Sequence, residues 1–150
     1  MFMTPIHHAG IVVTNLARSL SFYRDILGWK VLVELDIAGE EIEENLGLTG
    51  IKGKAVMLQQ AEGVVNGMIE LLEFSSPRAK PFPPDEKASD IGLRFLSFRV
   101  KDIEQNYNKL KERGVKFHSP PQLIKFTSYT IKACIFRDPD GVQLEMVQFV

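Results

Sequence analysis

A single cysteine, Cys134, stands among 150 residues, so the chain can form no disulfide within itself and no zinc–thiolate cluster. Basic excess is also missing: 18 Lys and Arg face 19 Asp and Glu, for a formal net charge of −1. Such a surface does not neutralise a phosphate backbone, which argues against nucleic acid as a partner. No apolar run approaches the roughly 20 residues that cross a bilayer as a helix, so no membrane is expected. The opening residues, MFMTPIHH, have neither the charged start nor the apolar stretch of a secretory leader, and a cytoplasmic protein is expected. Cys134 itself sits in the apolar run ACIF. There it reads as a buried, inert thiol, since a nucleophile would want a basic neighbour and only Lys132 is near in sequence.

What the chain does have is a hydrophobic content of 45% with 25% charged residues, the balance of one globular domain with a real core. It also contains a worn copy of itself. The stretch from His8, HAGIVVTNLARSLSFYRDILGWKV, returns from Phe95 as FLSFRVKDIEQNYNKLKERGVKF. His8 aligns with Phe95, Val13 with Val100, Asn15 with Asp102, Leu16 with Ile103, and Gly28 with Gly114 after one deletion. Each copy ends in a matching strand pattern, MIELLEF around Glu70 and QLEMVQF around Glu145.

Within the first copy, residues 6–13 read as a strand, Asn15 as an N-cap, and Leu16, Leu20, Tyr23 and Leu27 as a helical stripe closed by Gly28. Strands are expected at 29–35, 54–61 and 67–74, with a short acidic helix or turn over 39–48. Residues 75–90 hold four prolines and several charges, a linker composition. The second copy repeats the plan: a strand in LRFLSFRV, Asp102 as N-cap, and a stripe of Ile103, Tyr107 and Leu110 ended by Gly114. Strands are then expected at VKFH (115–118), 129–137 and 142–149, the last two joined by the tight turn DPDG. The expected class is α+β. Two βαβββ modules, about 5–74 and 91–150, pack side by side within one domain, 1–150, as a concave, partly open barrel-like sheet. Pockets form in such concave mouths.

The segments HHAGIVVTNLARSLSFYRDILGW and RDPDGVQLEMVQ resemble the first βα unit and the last hairpin of the vicinal oxygen chelate superfamily. That group includes glyoxalase I, methylmalonyl-CoA epimerase, extradiol dioxygenases and the fosfomycin and bleomycin resistance proteins. The resemblance runs through GMIELLEF and the G-x-x-F-x-S-F-x-V-K-D start of the second copy, and so covers essentially the whole chain. It implies a divalent metal (nickel, cobalt, manganese, iron or zinc) bound by one side chain from each of four equivalent strands. Carried over position by position, these are His8, Glu70, residue 95 and Glu145. Position 95 is phenylalanine where metal-dependent relatives usually have histidine, leaving three ligands, which can still make a catalytic site with water. The 2-His-1-carboxylate triad of extradiol dioxygenases fits worst. The resemblance also implies a homodimer and a small-molecule substrate or ligand.

Two activities follow as expectations. One is a glyoxalase-like, metal-assisted lyase or isomerase acting on a small carbonyl compound through an enediolate, with Glu145 or Glu70 as base. The other is a metal-free ligand-binding or drug-sequestering protein of the bleomycin-resistance type, favoured by Phe95, Phe98, Tyr129 and Trp29. In either case His8, Glu70 and Glu145 are expected to face one pocket, lined also by Phe95 and Tyr129. His7, next to His8 on the same strand, is expected to point the other way. The carboxylates of Glu40, Glu41, Glu43 and Glu44 read as a solvated helix start favoured by the helix dipole.

Overall fold

The computed structural model describes residues 5–64, 66–83 and 86–150. The chain forms two compact units whose boundary falls between Pro81 and Phe82. In the first, β1 (His8–Val12) leads to α1 (Leu16–Leu20) and a wider π turn (Ser21–Ile26). Then come β2 (Lys30–Ile37), α2 (Glu40–Leu46), β3 (Lys52–Gln59) and β4 (Met68–Ser76). The second unit runs β5 (Phe95–Arg99), α3 (Ile103–Glu112), β6 (Gln122–Lys125), β7 (Thr130–Arg137) and β8 (Gln143–Phe149). The two sheets have the same strand order, β1-β4-β3-β2 and β5-β8-β7-β6. In each the first and last strands pair in parallel and the others are antiparallel. This is an α+β fold of two βαβββ modules with no closed barrel.

Strand alternation divides each sheet into two faces. The face toward the helix holds Ile11, Val13, Leu58, Ile69 and Leu71 in the first unit, all buried, as is Tyr23 of the π turn. In the second unit it holds Cys134, Phe136, Leu144 and Met146 with Ile103. Each such aliphatic or aromatic side chain contributes about 1.5–3 kcal/mol on burial. The opposite face of each sheet carries Glu70 or Glu145.

The repeat holds at the level of single hydrogen bonds. Asn15 Oδ1 accepts from Arg18 N at 2.9 Å, and Asp102 Oδ1 accepts from Gln105 N at 2.9 Å. The first helical N–H is bound in both copies by a strand side chain: Leu16 N donates to Glu73 Oε2, and Ile103 N to Gln148 Oε1, each at 2.8 Å. Gly28 (φ 84°) and Gly114 (φ 86°) end the helices in the left-handed region that a Cβ disfavours. The first helix has one residue more between cap and glycine, and the π turn absorbs it: Leu27 N reaches back five residues to Phe22 O at 3.0 Å.

One strand assignment needs correction. VKFH is not a strand; it contributes only an isolated bridge, Phe117 to Phe136, and the second strand of this module in chain order is Gln122–Lys125. The cause lies in the helix end, where Val115 N donates to Leu110 O at 3.0 Å and so is spent on the cap. The DPDG turn forms as expected, with the buried Asp138 accepting from Asp140 N (2.9 Å) and Val142 N (2.8 Å).

Candidate functional site

In the first sheet, parallel pairing sets His8 opposite Met68 and Gly10 opposite Glu70. The His8 and Glu70 side chains therefore leave the same face, and His8 Nε2 lies 3.4 Å from Glu70 Oε2. Glu70 is partly buried and His8 more open, at 19% and 38% side-chain exposure, so the imidazole reaches solvent while the carboxylate is half sheltered. His7 precedes the strand, so strand alternation does not govern it. Its ring meets that of His8 edge-on, with the two Nδ1 atoms 2.8 Å apart. One Nδ1 must donate and the other accept. This contact fixes the His8 ring with Nε2 turned toward Glu70, the way an outer partner orients a ligand imidazole.

The second sheet repeats the register with different chemistry. Phe95 pairs with Gln143 and Ser97 with Glu145. Phe95, the counterpart of His8, offers no donor and is 43% exposed. The Ser97 hydroxyl donates to Glu145 Oε2 at 2.6 Å. Its counterpart Gly10 has no side chain, and a Cβ built there would lie 4.0 Å from Glu70 Oε2. Each carboxylate thus has a partner on the neighbouring parallel strand: an imidazole two residues earlier in one sheet, a hydroxyl directly opposite in the other.

Of the residues singled out from sequence, His8 and Glu70 come together in one unit, and Phe95 and Glu145 share a face in the other. Tyr129 lies further along that second face, against Phe126 and Phe149. Trp29 is buried, and Phe98 alternates to the helix side, so neither lines this face. Cys134 is 3% exposed, and its thiol is pushed up to about 11 by burial first and then by the charges of Glu104 and Glu145. It is a neutral core thiol at physiological pH. In the acidic run, Glu43 Oε1 accepts from Ile51 N at 3.1 Å, a structural tie at the end of α2. His7, expected on the other side of the strand, instead meets His8, and no periodicity marks this contact or that of Ser97 with Glu145. Glu73 and Gln148 could have been found, because each stands three residues after its copy's glutamate.

The donor pair in the first sheet suits a divalent cation. Two ligands about 2.1 Å from a tetrahedral metal are about 3.4 Å apart, the spacing of His8 Nε2 and Glu70 Oε2. Within either unit, no group of three or more His, Cys, Asp or Glu among the described residues gathers as a complete metal cage would require.

Residues 5–146 match the sequence pattern of the Glyoxalase/Bleomycin resistance protein/Dioxygenase superfamily, and the chain belongs to that family. It is 31% identical over 144 residues to the uncharacterized protein YaeR of Escherichia coli K12, covering 95% of each chain. It is 29% identical over 141 residues to a probable lactoylglutathione lyase of Synechocystis, covering 94% of this chain and 92% of that one. A glyoxalase family protein from Bacillus cereus shares the fold, with a TM-score of 0.80 at 18% identity over 99% of this chain and 95% of that one. No helix among the described residues is long and apolar enough to cross a membrane.

Proposed function

We propose that this chain is a glyoxalase-like lyase or isomerase that takes a proton from the carbon beside the carbonyl of a small substrate. His8, Glu70 and Glu145 are the proposed ligands of a divalent cation, nickel, cobalt, manganese, iron or zinc. The observation that carries the reading is the His8–Glu70 pair, 3.4 Å apart on one face of the first sheet and held from behind by His7. When bound, such a cation supplies Lewis-acid polarisation of the carbonyl oxygen. The chain's own groups do the rest. Ser97 engages one oxygen of Glu145 and fixes that side chain. Glu70 meets no such hydroxyl, because Gly10 stands opposite it, so we assign Glu70 as the base and Glu145 as the fixed carboxylate. The lyase named among the relatives supports this class of reaction for the chain.

The test is metal content by mass spectrometry after incubation with each of the five cations and dialysis. The parent should retain metal, and His8→Ala and Glu70→Gln should lose it; uptake no greater than that of His8→Ala would refute the ligand assignment. A homodimer is part of the proposal, and light scattering that gave a monomer at micromolar concentration would remove it.

A second reading, metal-free ligand binding of the bleomycin-resistance type, is favoured by one observation. The second sheet presents an exposed Phe95 beside a Glu145 already satisfied by Ser97. Ligand binding that persists in chelator and in Glu145→Ala would support it; binding lost in both would exclude it.

A further inference from the structure

The glutamate face of the second sheet continues past Glu145 into a cationic and aromatic surface. Arg99, two residues beyond Ser97, pairs with Val147 on the same face, and its guanidinium carbon lies 5.1 Å from the centroid of the Phe149 ring. Phe149 contacts Tyr129 at 5.8 Å between centroids, and Tyr129 contacts Phe126 at 4.8 Å. These three rings are 52%, 48% and 49% exposed, an unusual outlay of aromatic surface in one place. Arg99 is exposed, and among the described residues no carboxylate forms an ion pair with it.

The repeat shows what such a place is when it is closed. Register maps Arg99 to Val12, Phe149 to Phe74 and Tyr129 to Ile51. In the first unit two of these three positions are filled, since Ile51 is 2% exposed and Phe74 and Leu72 pack with Ile37, Ala55 and Ile42 of α2, while Val12 stays exposed. The second unit has no helix between its second and third strands, where α2 would stand. Its counterpart is open, broader in aromatic area, and charged where the first copy has valine.

We propose that Arg99, Phe126, Tyr129 and Phe149 form a binding site for a small planar aromatic carboxylate. The ring stacks on Tyr129 and Phe126, and the carboxylate pairs with the guanidinium of Arg99, whose planar fork matches it in two hydrogen bonds. A ring alone would find aromatic area without needing the arginine, and an anion alone would not need three rings; the combination selects the class. This deepens the reading above by naming a ligand chemistry, yet it rests only on the second sheet, so its test is run in chelator with no turnover.

Calorimetric titration of the full chain with naphthoate, against naphthamide as the neutral isostere, is the experiment. Naphthoate should bind in chelator, weaken about tenfold or more in Arg99→Gln, and weaken severalfold in Tyr129→Ala. Naphthamide should bind more weakly than naphthoate and be indifferent to Arg99→Gln. Both positions are exposed, and circular dichroism of each variant confirms the fold. Absence of naphthoate binding at millimolar concentration, or equal binding by Arg99→Gln, overturns the site. So does a Tyr129→Ala variant that shifts the sedimentation coefficient to a smaller species while binding naphthoate unchanged, since the rings would then be an interface. Loss of metal uptake with naphthoate binding intact would remove the ligand assignment alone.

Discussion

Replacing Phe95 by histidine should restore the imidazole that the second copy lacks. Phe95 stands opposite Gln143, two residues before Ser97 opposite Glu145. His8 stands opposite Met68, two residues before Gly10 opposite Glu70. An imidazole at 95 therefore starts from the same backbone relation to Glu145 that puts His8 Nε2 3.4 Å from Glu70. Four-ligand zinc sites are worth about 10–16 kcal/mol in all, or about 2.5–4 kcal/mol for each ligand. Fixing the rotamer of the new imidazole costs about 1 kcal/mol. The net gain is then about 1.5–3 kcal/mol, which tightens metal binding roughly tenfold to a hundredfold. Phe95 is 43% exposed, so the exchange sacrifices little packing. Competition against a chromophoric chelator reads the affinity directly, with Phe95→Ala as the control that removes the ring and adds no donor. A histidine variant that binds cobalt or zinc no better than the alanine variant would refute the reasoning.

Two further outcomes follow from single contacts. Glu73→Ala and Gln148→Ala each strand a helical N–H that is now bound at 2.8 Å, and each should cost about 1–2 kcal/mol, or roughly 2–8 °C in Tm by calorimetry. The isosteric Glu73→Gln should keep most of that, and equal losses in Gln and Ala variants would disprove the cap. Burial raises the Cys134 thiol from 9.0 to about 11, so the thiolate, the reactive form, appears only at higher pH than in the unfolded chain. At pH 9 about 1% of the folded thiol is ionised against about half when unfolded, and alkylation should be slow until denaturant is added; rapid labelling of the native protein would show that the thiol is accessible.

The strand-and-helix frame was legible because each copy carries its own punctuation. Asn15 and Asp102 as caps, and Gly28 and Gly114 as left-handed stops, are local requirements of any helix, and residue type alone reveals them. The extra residue between Asn15 and Gly28 is visible against the shorter second copy, but residue type alone does not say whether a loop or a π turn absorbs it. VKFH misled because its β-like composition says nothing about Val115 N, which the preceding helix had already claimed. QLIK carries no strand signal of its own, since it follows two prolines and forms the exposed edge of its sheet.

The site was legible where chemistry repeats and opaque where it does not. Glu70 and Glu145 stand out because a carboxylate recurs at one register position in both sheets. Their partners do not recur. His7 acts from outside the strand, and Ser97 does in one copy what Gly10 leaves undone in the other, so neither could be read from the duplication. The difference has a physical logic. Caps and stop glycines must be kept in both copies, because each helix needs its own and the loss of either costs stability. Ligand and lining positions carry no such obligation, since a binding function has to be supplied once by the whole chain. Divergence therefore collects at His8 against Phe95, Gly10 against Ser97, and Val12 against Arg99, all on the glutamate faces. On the helix-facing side Leu71 and Met146 remain apolar core, and Glu73 and Gln148 remain caps. In a duplicated fold, the face on which the copies disagree is the one released from symmetry, and that is where recognition of an asymmetric ligand has to be built.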